Sequence, residues 1–553
     1  MAWLRGLSRR HAAAWLALAL VLSAAMWLRL QVIEKSLPYP QHVDETFLSN
    51  NAANMLRTGD FNPHFFMYPG LPIYLTAAAM SYGYLDAANH LELKSTREIG
   101  SVNVPYYQHP RILRPARQLF ALISVAGMLM LALVARLAGG HLAMVLAPAW
   151  LALSPLYFEQ SQAYLNVNIV GSALAWTTIW LTLKNFDRPD RIAKVLIPGI
   201  LCGLVIASKY NFAAILVVPL LAICWRGRGR LRQALLLTGV AGASFLACAP
   251  YTLLDLKAFL DDLGKITYVY RAGIFGGEKS AGFGGHLLLN LSEMHAEFGA
   301  ASGFFVLIGA FFLARREGRR LLLAAVFPLL LFVSMTASPT HLMRNLVPFL
   351  PLWALLGAIG AVAASRFLAA RVAVWRPTWP TAWREAAAFL AVAAPLAFFV
   401  PLGSPREFLA APLTSRQDAT AWLIENAPKD RPLLVARELG LHPAPFRKAG
   451  LLIKELPLRS LSTEEFLEEL ARYPDSLVLL PLVNVYHWDP EIAAAGRELL
   501  PRFESFHQEI EPVRIFGSQP VSLSFEYPPG GDPQFLVGRQ RRSSAIDASS
   551  TLP

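Results

Sequence analysis

Along the first four hundred positions, apolar residues come in runs of about 17 to 22, separated by short polar blocks. A helix of that length crosses roughly 30 Å of hydrocarbon. The first run, from about Ala12 to Leu30, follows Arg5, Arg9 and Arg10 and reads as an uncleaved signal anchor, because the run is long and no clear small-x-small cleavage site precedes Ser36-Leu37-Pro38. Ten more predicted spans lie at about 117–136, 142–157, 167–183, 195–207, 211–225, 233–250, 299–314, 321–336, 345–364 and 386–402. Leu71 to Leu85 is also apolar, but a span there would invert every later basic block, so it reads as an interfacial or re-entrant helix. Past Pro401 the pattern changes. Ala419 to Asn426 and Thr463 to Tyr473 carry helical periodicity, while Leu433–Ala436, Leu477–Leu480 and Val521–Phe525 read as strands.

Composition strengthens this picture. The 553 residues are 55% apolar and only 16% charged, whereas soluble domains carry about 25% charged residues. A soluble enzyme is excluded. The formal charge of +12 would suit a nucleic-acid partner if the basic residues shared a soluble face, but they lie in the blocks between spans. With the N-terminus inside, twenty Lys and Arg fall on the inner side, and the short outer connections near 158–166, 208–210 and 337–344 hold only Lys209 and Arg344. That asymmetry is the positive-inside rule, and it sets the orientation. It also places outside two large loops, 31–116 and the glycine-rich 252–298, the latter suited to act as a lid. Cys202, Cys224 and Cys248 sit in or at the end of apolar runs, which disfavours both a disulfide framework and a cysteine metal site.

Ionisable residues at the outer surface are the candidates for chemistry, because charge beside the bilayer is costly and commonly functional. Asp44-Glu45 precedes an amphipathic helix with Phe47, Leu48, Ala52, Met55 and Leu56 on one face. The two acids suit either a solvated helix start or a base that deprotonates an acceptor hydroxyl. Lys209 suits either a snorkelling lysine or an ammonium that binds phosphate. His341 and Arg344, three apart at the start of a span, would share a face if that stretch were helical. Arg111, Arg114 and Arg117 precede the second span, and Arg271 lies in the glycine-rich loop. His42, His64, His109 and His286 could form a zinc site with Asp44 or Glu45, yet no HExxH or other compact ligand spacing occurs. Walker A, GxSxG and a GxGxxG in Rossmann context are also lacking, so nothing supports a nucleotide site.

The stretch from Asp44-Glu45 through Leu56-Arg57-Thr58-Gly59-Asp60-Phe61-Asn62-Pro63-His64-Phe65-Phe66-Met67-Tyr68-Pro69-Gly70 resembles the first outer loop of the GT-C membrane glycosyltransferases. It is more closely similar to the bacterial protein-mannosyltransferase-like and aminoarabinose-transferase-like families. The resemblance continues through Arg117–Leu122, Ala152–Pro155, Gly203–Tyr210 and His341–Pro351, and so covers most of residues 10–365. It implies inverting transfer of a sugar from a polyprenyl-phosphate carrier to a protein, lipid or glycan acceptor on the outer face. Asp44 then matches the catalytic acid, with Glu45 in support. Lys209, His341 and Arg344 match positions near the carrier phosphate and Arg117 the arginine that opens the second span, with Arg271 expected on the same side, and Asn166, Asn168, Tyr210, His64 and Tyr68 are expected on the sugar or acceptor side. The chain departs from the pattern in two places. The outer loop after the third span has Asn166 and Asn168 where many relatives have an acid. Met67-Tyr68-Pro69 also lacks the Glu-Lys pair of aminoarabinose transferases, which disfavours that sugar.

The expected protein is therefore a polytopic α-helical membrane protein of GT-C type with about eleven transmembrane helices (1–403). An extracytoplasmic α/β domain (404–535) and a disordered tail (536–553) follow it. Its expected place is a plasma membrane, the inner membrane of a bacterium, with a cytoplasmic N-terminus. Expected partners are a polyprenyl-phosphate-linked donor, an acceptor and membrane lipids, without nucleic acid. No cofactor is required, and no motif supports a divalent metal. The alternatives are a transporter or flippase of a lipid-linked or anionic substrate, and a relative that binds carrier lipid without turnover.

Overall fold

The computed structural model describes residues 9–39, 42–99, 109–161, 165–186, 193–225, 229–271, 282–399, 414–484, 490–517, 521–522 and 534–541. The chain forms two compact units. The first comprises Met1–Glu34, Asn51–His90 and Arg111–Ala410, and the second Lys35–Asn50, Leu91–Pro110 and Ala411–Pro553.

The first unit is helical: α1 (Arg9–Val32), the second half of α2 (Val43–Thr58), α3 (Gly70–Asn89), α4 (Pro110–Gly139), α5 (His141–Leu153), α6 (Pro155–Glu159), α7 (Val167–Lys184), α8 (Ala193–Ile206), α9 (Val217–Cys224), α10 (Arg230–Cys248), α11 (Tyr251–Leu254), α12 (Leu256–Arg271), α13 (Gly282–Phe298), α14 (Ser302–Thr336), α15 (Leu350–Trp375) and α16 (Thr381–Phe399). Among the described residues five helices are long and apolar enough to cross a membrane: α4, α10, α14, α15 and α1 from His11 on. Others of the eleven expected segments fall on shorter apolar helices, with His141–Leu153 and Lys194–Ile206 among them. Two expected spans, 299–314 and 321–336, are the two parts of α14, which is interrupted at Glu317 (φ −147°, ψ 53°) between Arg315-Arg316 and Arg319-Arg320. Two clustered arginine pairs cannot sit in hydrocarbon, so the break falls where the chain must meet water. Leu71 to Leu85 belongs to α3, opened by Gly70 and Pro72.

Close helix packing sets the core of this unit. A side chain at Gly309 would run into the carbonyl of Leu356, and one at Gly360 into that of Phe305, so α14 and α15 approach backbone to backbone. Small residues allow such approach where lipid supplies no hydrophobic drive between helices. Trp176, Phe212, Phe327, Leu350 and Leu355 fill the interior.

The second unit holds a five-stranded sheet in the order β2-β1-β3-β7-β5: β1 (Leu433–Ala436), β2 (Ile453–Leu456), β3 (Val478–Pro481), β5 (Ile510–Phe516) and β7 (Phe535–Gln540). A short parallel pair, β4 (Val483–Asn484) with β6 (Val521–Ser522), lies apart from it. The first three strands of the sheet are parallel, and β7 is antiparallel to both β3 and β5. Every residue of β1 and β3 is buried, as expected of central strands covered on both faces. Helices Ser415–Asn426 and Thr463–Arg472 each start with a complete capping box, Thr414 with Gln417 and Ser462 with Glu465. The tail expected from 536 is corrected here. Leu536 and Val537 are buried and Gly538 pairs with Val478, because a strand flanked on both sides has its backbone groups satisfied despite the basic residues that follow. Leu523, Ser524 and Phe525 of the expected strand lie outside the described residues.

Candidate active site

In the first unit, polar side chains from five segments converge on Lys209. The chain leaves α8 at Ile206, and Lys209 takes an extended conformation (φ −159°, ψ 127°) ahead of the 3₁₀ turn Tyr210–Leu216. Its Nζ donates to Asn168 Oδ1 and to Asn345 Oδ1, both at 2.7 Å. These two acceptors are neutral amides, so they orient the ammonium without cancelling its charge. Asn168 is used on both sides, since its Nδ2 donates to the Arg344 carbonyl at 3.0 Å. Asn345 Nδ2 reaches the Tyr270 hydroxyl at 3.3 Å, and the Thr340 hydroxyl donates to the Tyr270 carbonyl at 3.0 Å.

A second row adjoins it. His341 Nε2 lies 2.9 Å from Asn290 Oδ1, and Asn290 Nδ2 donates to Thr336 Oγ1 at 3.0 Å. His286, one turn earlier on α13, packs its ring 6.1 Å from that of His341. Its buried Nε2 has no hydrogen-bond partner among the described residues. His341 and Arg344 do not share a helical face: Leu342 is extended (φ −134°, ψ 111°), and only Met343–Leu346 forms a 3₁₀ turn. Arg344 is linked to Lys209 through its carbonyl and Asn168, whereas His341 is held by Asn290.

Asn166 has a different role from Asn168. Its side-chain oxygen accepts the Asn168 N–H at 2.7 Å and so caps α7, and its Nδ2 donates to Gln160 Oε1. Two residues further along α7 an apolar cavity of about 310 Å³ begins, bounded by Leu71, Leu75, Ile123, Val170, Leu174 and Leu204.

Other predicted residues stand elsewhere. Arg117 is fully buried, with its Nη1 on the Ile33 carbonyl at 2.6 Å. Arg271 is exposed at the last position of α12. Tyr210 packs on the Phe259 ring, and burial, with Asp262 nearby, pushes its hydroxyl above the ordinary range. His64 belongs to an exposed ionic group: its Nε2 lies 2.8 Å from Asp60, and Asn62 Nδ2 donates to Asp255 at 2.9 Å. The hydrogen bond from His64 is the main reason the Asp60 carboxyl sits below its ordinary value. Tyr68 sits edge-on to Phe65. Among the described residues no group of three or more His, Cys, Asp or Glu is placed to hold a metal.

Asp44 and Glu45 occupy the first turn of α2, in the part of the chain assigned to the second unit. Both are buried, at 1% and 0% exposure, so the solvated helix start does not hold. The His42 ring accepts the Asp44 N–H at 3.1 Å.

Sequence reasoning missed Asn290, Asn345, Tyr270 and Thr340. Asn345 closes the motif beginning at Ser338, and His286 and Asn290 stand four apart, but neither signal says that both loops meet at Lys209. It also missed Arg29, Ser154, Ser161 and Glu297, which are buried around the connection between α5 and α7.

No family model matches the chain, and no curated protein matches it. Among solved structures it is similar to ArnT from Cupriavidus metallidurans bound to undecaprenyl phosphate, with 14% identity and a TM-score of 0.52 over 94% of this chain and 97% of that one. The apo ArnT structure matches with 14% identity and a TM-score of 0.52 over 95% and 98%. The archaeal oligosaccharyltransferase AglB from Archaeoglobus fulgidus, in complex with an inhibitory peptide and a dolichol-phosphate, gives 15% identity and a TM-score of 0.45 over 86% and 69%. The chain shares the fold of ArnT.

Proposed function

We propose that this membrane protein is an inverting glycosyltransferase that moves a sugar from a polyprenyl-phosphate carrier to an acceptor on the outer face of the membrane. The observation that carries the reading is Lys209, held at 2.7 Å by two neutral amides within a GT-C fold. An ammonium positioned this way is suited to the charge that develops on a departing phosphate, and preorganised charge is commonly the largest catalytic contribution. His341 and Arg344 belong to the same side. The apolar cavity that begins two residues past Asn168 suits the isoprenoid tail.

In this reading Asp44 takes the proton of the acceptor hydroxyl. The acceptor oxygen bonds to the anomeric carbon from the face opposite the phosphate, the carbon–oxygen bond to phosphate breaks, and the lipid phosphate leaves with the electron pair. Glu45 supports the acceptor side. The basic blocks between spans support a cytoplasmic N-terminus, which places the second unit outside. The sugar is a hexose or pentose, and Met67-Tyr68-Pro69 argues against aminoarabinose. The acceptor is a protein, lipid or glycan.

The test is release of free polyprenyl phosphate from a panel of polyprenyl-phosphate sugars by detergent-purified protein, read by mass spectrometry beside Asp44→Asn. Release from one sugar, lowered about 10²- to 10⁴-fold in the variant, supports the reading. Equal release by both proteins overturns the role of Asp44. Absence of carrier binding moves the assignment to a transporter.

A further inference from the structure

Residues 154–161, the first part of the connection between α5 and α7, are gripped at both ends by a buried ionisable group whose partners are neutral. At their start, Glu297 Oε2 accepts the Ser154 hydroxyl at 2.5 Å and the Leu156 N–H at 2.9 Å. At their far end, Arg29 Nε donates to Ser161 Oγ at 2.8 Å, and Arg29 Nη1 to the Ala25 carbonyl at 3.0 Å. The rings of Tyr157 and Phe158 lie 5.8 and 5.4 Å from the guanidinium carbon. Arg29 is 0% exposed and Glu297 4%. Among the described residues no carboxylate pairs with Arg29 and no cation with Glu297, and Arg29 Nη2 has no partner. Burying an ionisable side chain without an opposite charge is costly, whether it keeps its charge or gives it up, and one recognised reason to retain such a group is to fix a particular geometry.

The geometry fixed here leads to Lys209. Ser161 is adjacent to Gln160, Gln160 Oε1 accepts from Asn166, Asn166 orients the Asn168 N–H, and Asn168 Oδ1 accepts from Lys209. Ser161 also ties back to the Phe158 carbonyl, and Tyr157 to that of Ser124. The segment is thus fastened on both sides of Gln160, whose side chain holds Asn166.

We infer that Arg29 and Glu297 are positioning residues: by clamping the two ends of residues 154–161 they hold Gln160, which through Asn166 holds Asn168 against Lys209, and so set the affinity for the phosphate of a polyprenyl phosphate without touching it. This rests on the proposed role of Lys209.

The experiment is direct binding of polyprenyl phosphate to the full-length protein in detergent, in a double-mutant cycle. Ser161→Ala and Glu297→Leu are each expected to weaken binding about tenfold, and Glu297→Gln, which keeps an acceptor oxygen, to bind like wild type. In an Asn168→Ala background, Ser161→Ala and Glu297→Leu are expected to cost nothing further, which a merely destabilising substitution would not do. Additive losses in the cycle overturn the inference, as does unchanged binding in both single variants. Wild-type protein that binds no polyprenyl phosphate overturns the proposed function and this inference with it. Binding that is unaffected by Asn168→Ala overturns only the latter. Ser161→Ala, the mildest change, keeps the test open if Glu297→Leu does not fold.

Discussion

The two units are held by different physics, and each contains a buried ionisable group that reveals it. In the helical unit, burial pushes Glu297 from its ordinary 4.5 up to about 7, against the hydrogen bonds from Ser154 and Leu156 and with help from Glu293 and Glu159. In the α/β unit, burial pushes His442 from 6.5 down to about 4, aided by His109 and Arg447. Each prefers its neutral form when folded. The consequences run in opposite directions. Glu297 contributes stability that is complete below about 4.5 and is lost as pH rises through about 7. His442 contributes stability that is complete above 6.5 and is lost as pH falls through about 4. The helical unit therefore weakens toward neutral and alkaline pH, and the α/β unit toward acid. Desolvation is not a property of membrane segments alone; any compact core imposes it, and the charge type of the buried group decides the sign.

The comparison extends to packing. Backbone hydrogen bonds within helices are satisfied locally, so the helical unit depends on close contact, as at Gly309 and Gly360. The sheet of the α/β unit depends on strand pairing and on burial of residues such as Leu434, Leu479 and Val537. The largest effect is expected from Gly360→Val, which forces a branched side chain into the Phe305 carbonyl. Overpacking of this kind costs about 1–3 kcal/mol where the backbone can shift, and more where it cannot. Thermal unfolding in detergent should show the helical unit collapsing while the α/β unit, followed separately by limited proteolysis, persists. Loss of both together would break the separation.

Next in size is Glu297→Gln. It removes a titrating group while keeping an acceptor for Ser154, so the fall in wild-type stability between about pH 4.5 and about 7, on the order of 3 kcal/mol, should flatten. Melting temperatures across that range check it, and parallel curves for the two proteins would show that Glu297 does not titrate as described. The smallest effect is expected from His442→Asn. The His442 ring is more open to solvent than Glu297, and Asn can still accept the Ala444 N–H that Nδ1 accepts at 3.1 Å. The acid-side loss, on the order of 2 kcal/mol, should disappear from the α/β unit alone. Movement of the helical unit in the same titration would mean that the two groups are linked.

Hydrophobic patterning located the helices well. Val167–Lys184 and Arg230–Cys248 nearly match the expected 167–183 and 233–250, because a run of apolar residues has few alternatives to a helix in lipid. Strand β1 matches Leu433–Ala436 for the related reason that a short, fully buried β-rich run must be covered on both faces. Strands β2, β5 and β7 were not read, since Lys454, Glu455, Arg514 and Arg539 interrupt their apolar patterns. Their hydrogen bonds come from neighbours distant in the chain, and local composition carries no trace of those neighbours.

The same division applies to the site. Residue type alone marked Lys209, His341 and Arg344, because cations are rare at an outer membrane face, and the resemblance marked Asn168 as standing where many relatives have an acid. Composition, run length and the distribution of basic residues thus determined the membrane class, most helix positions and which ionisable groups merit notice. Only the tertiary structure decided that Asn168 and Asn345 meet at Lys209, that Asp44 is buried, and that Arg29 and Glu297 grip residues 154–161 from either end. The physical reason is range. Hydrophobicity and helix formation act over a few residues, whereas a hydrogen bond between positions 29 and 161 exists only after the helices have packed.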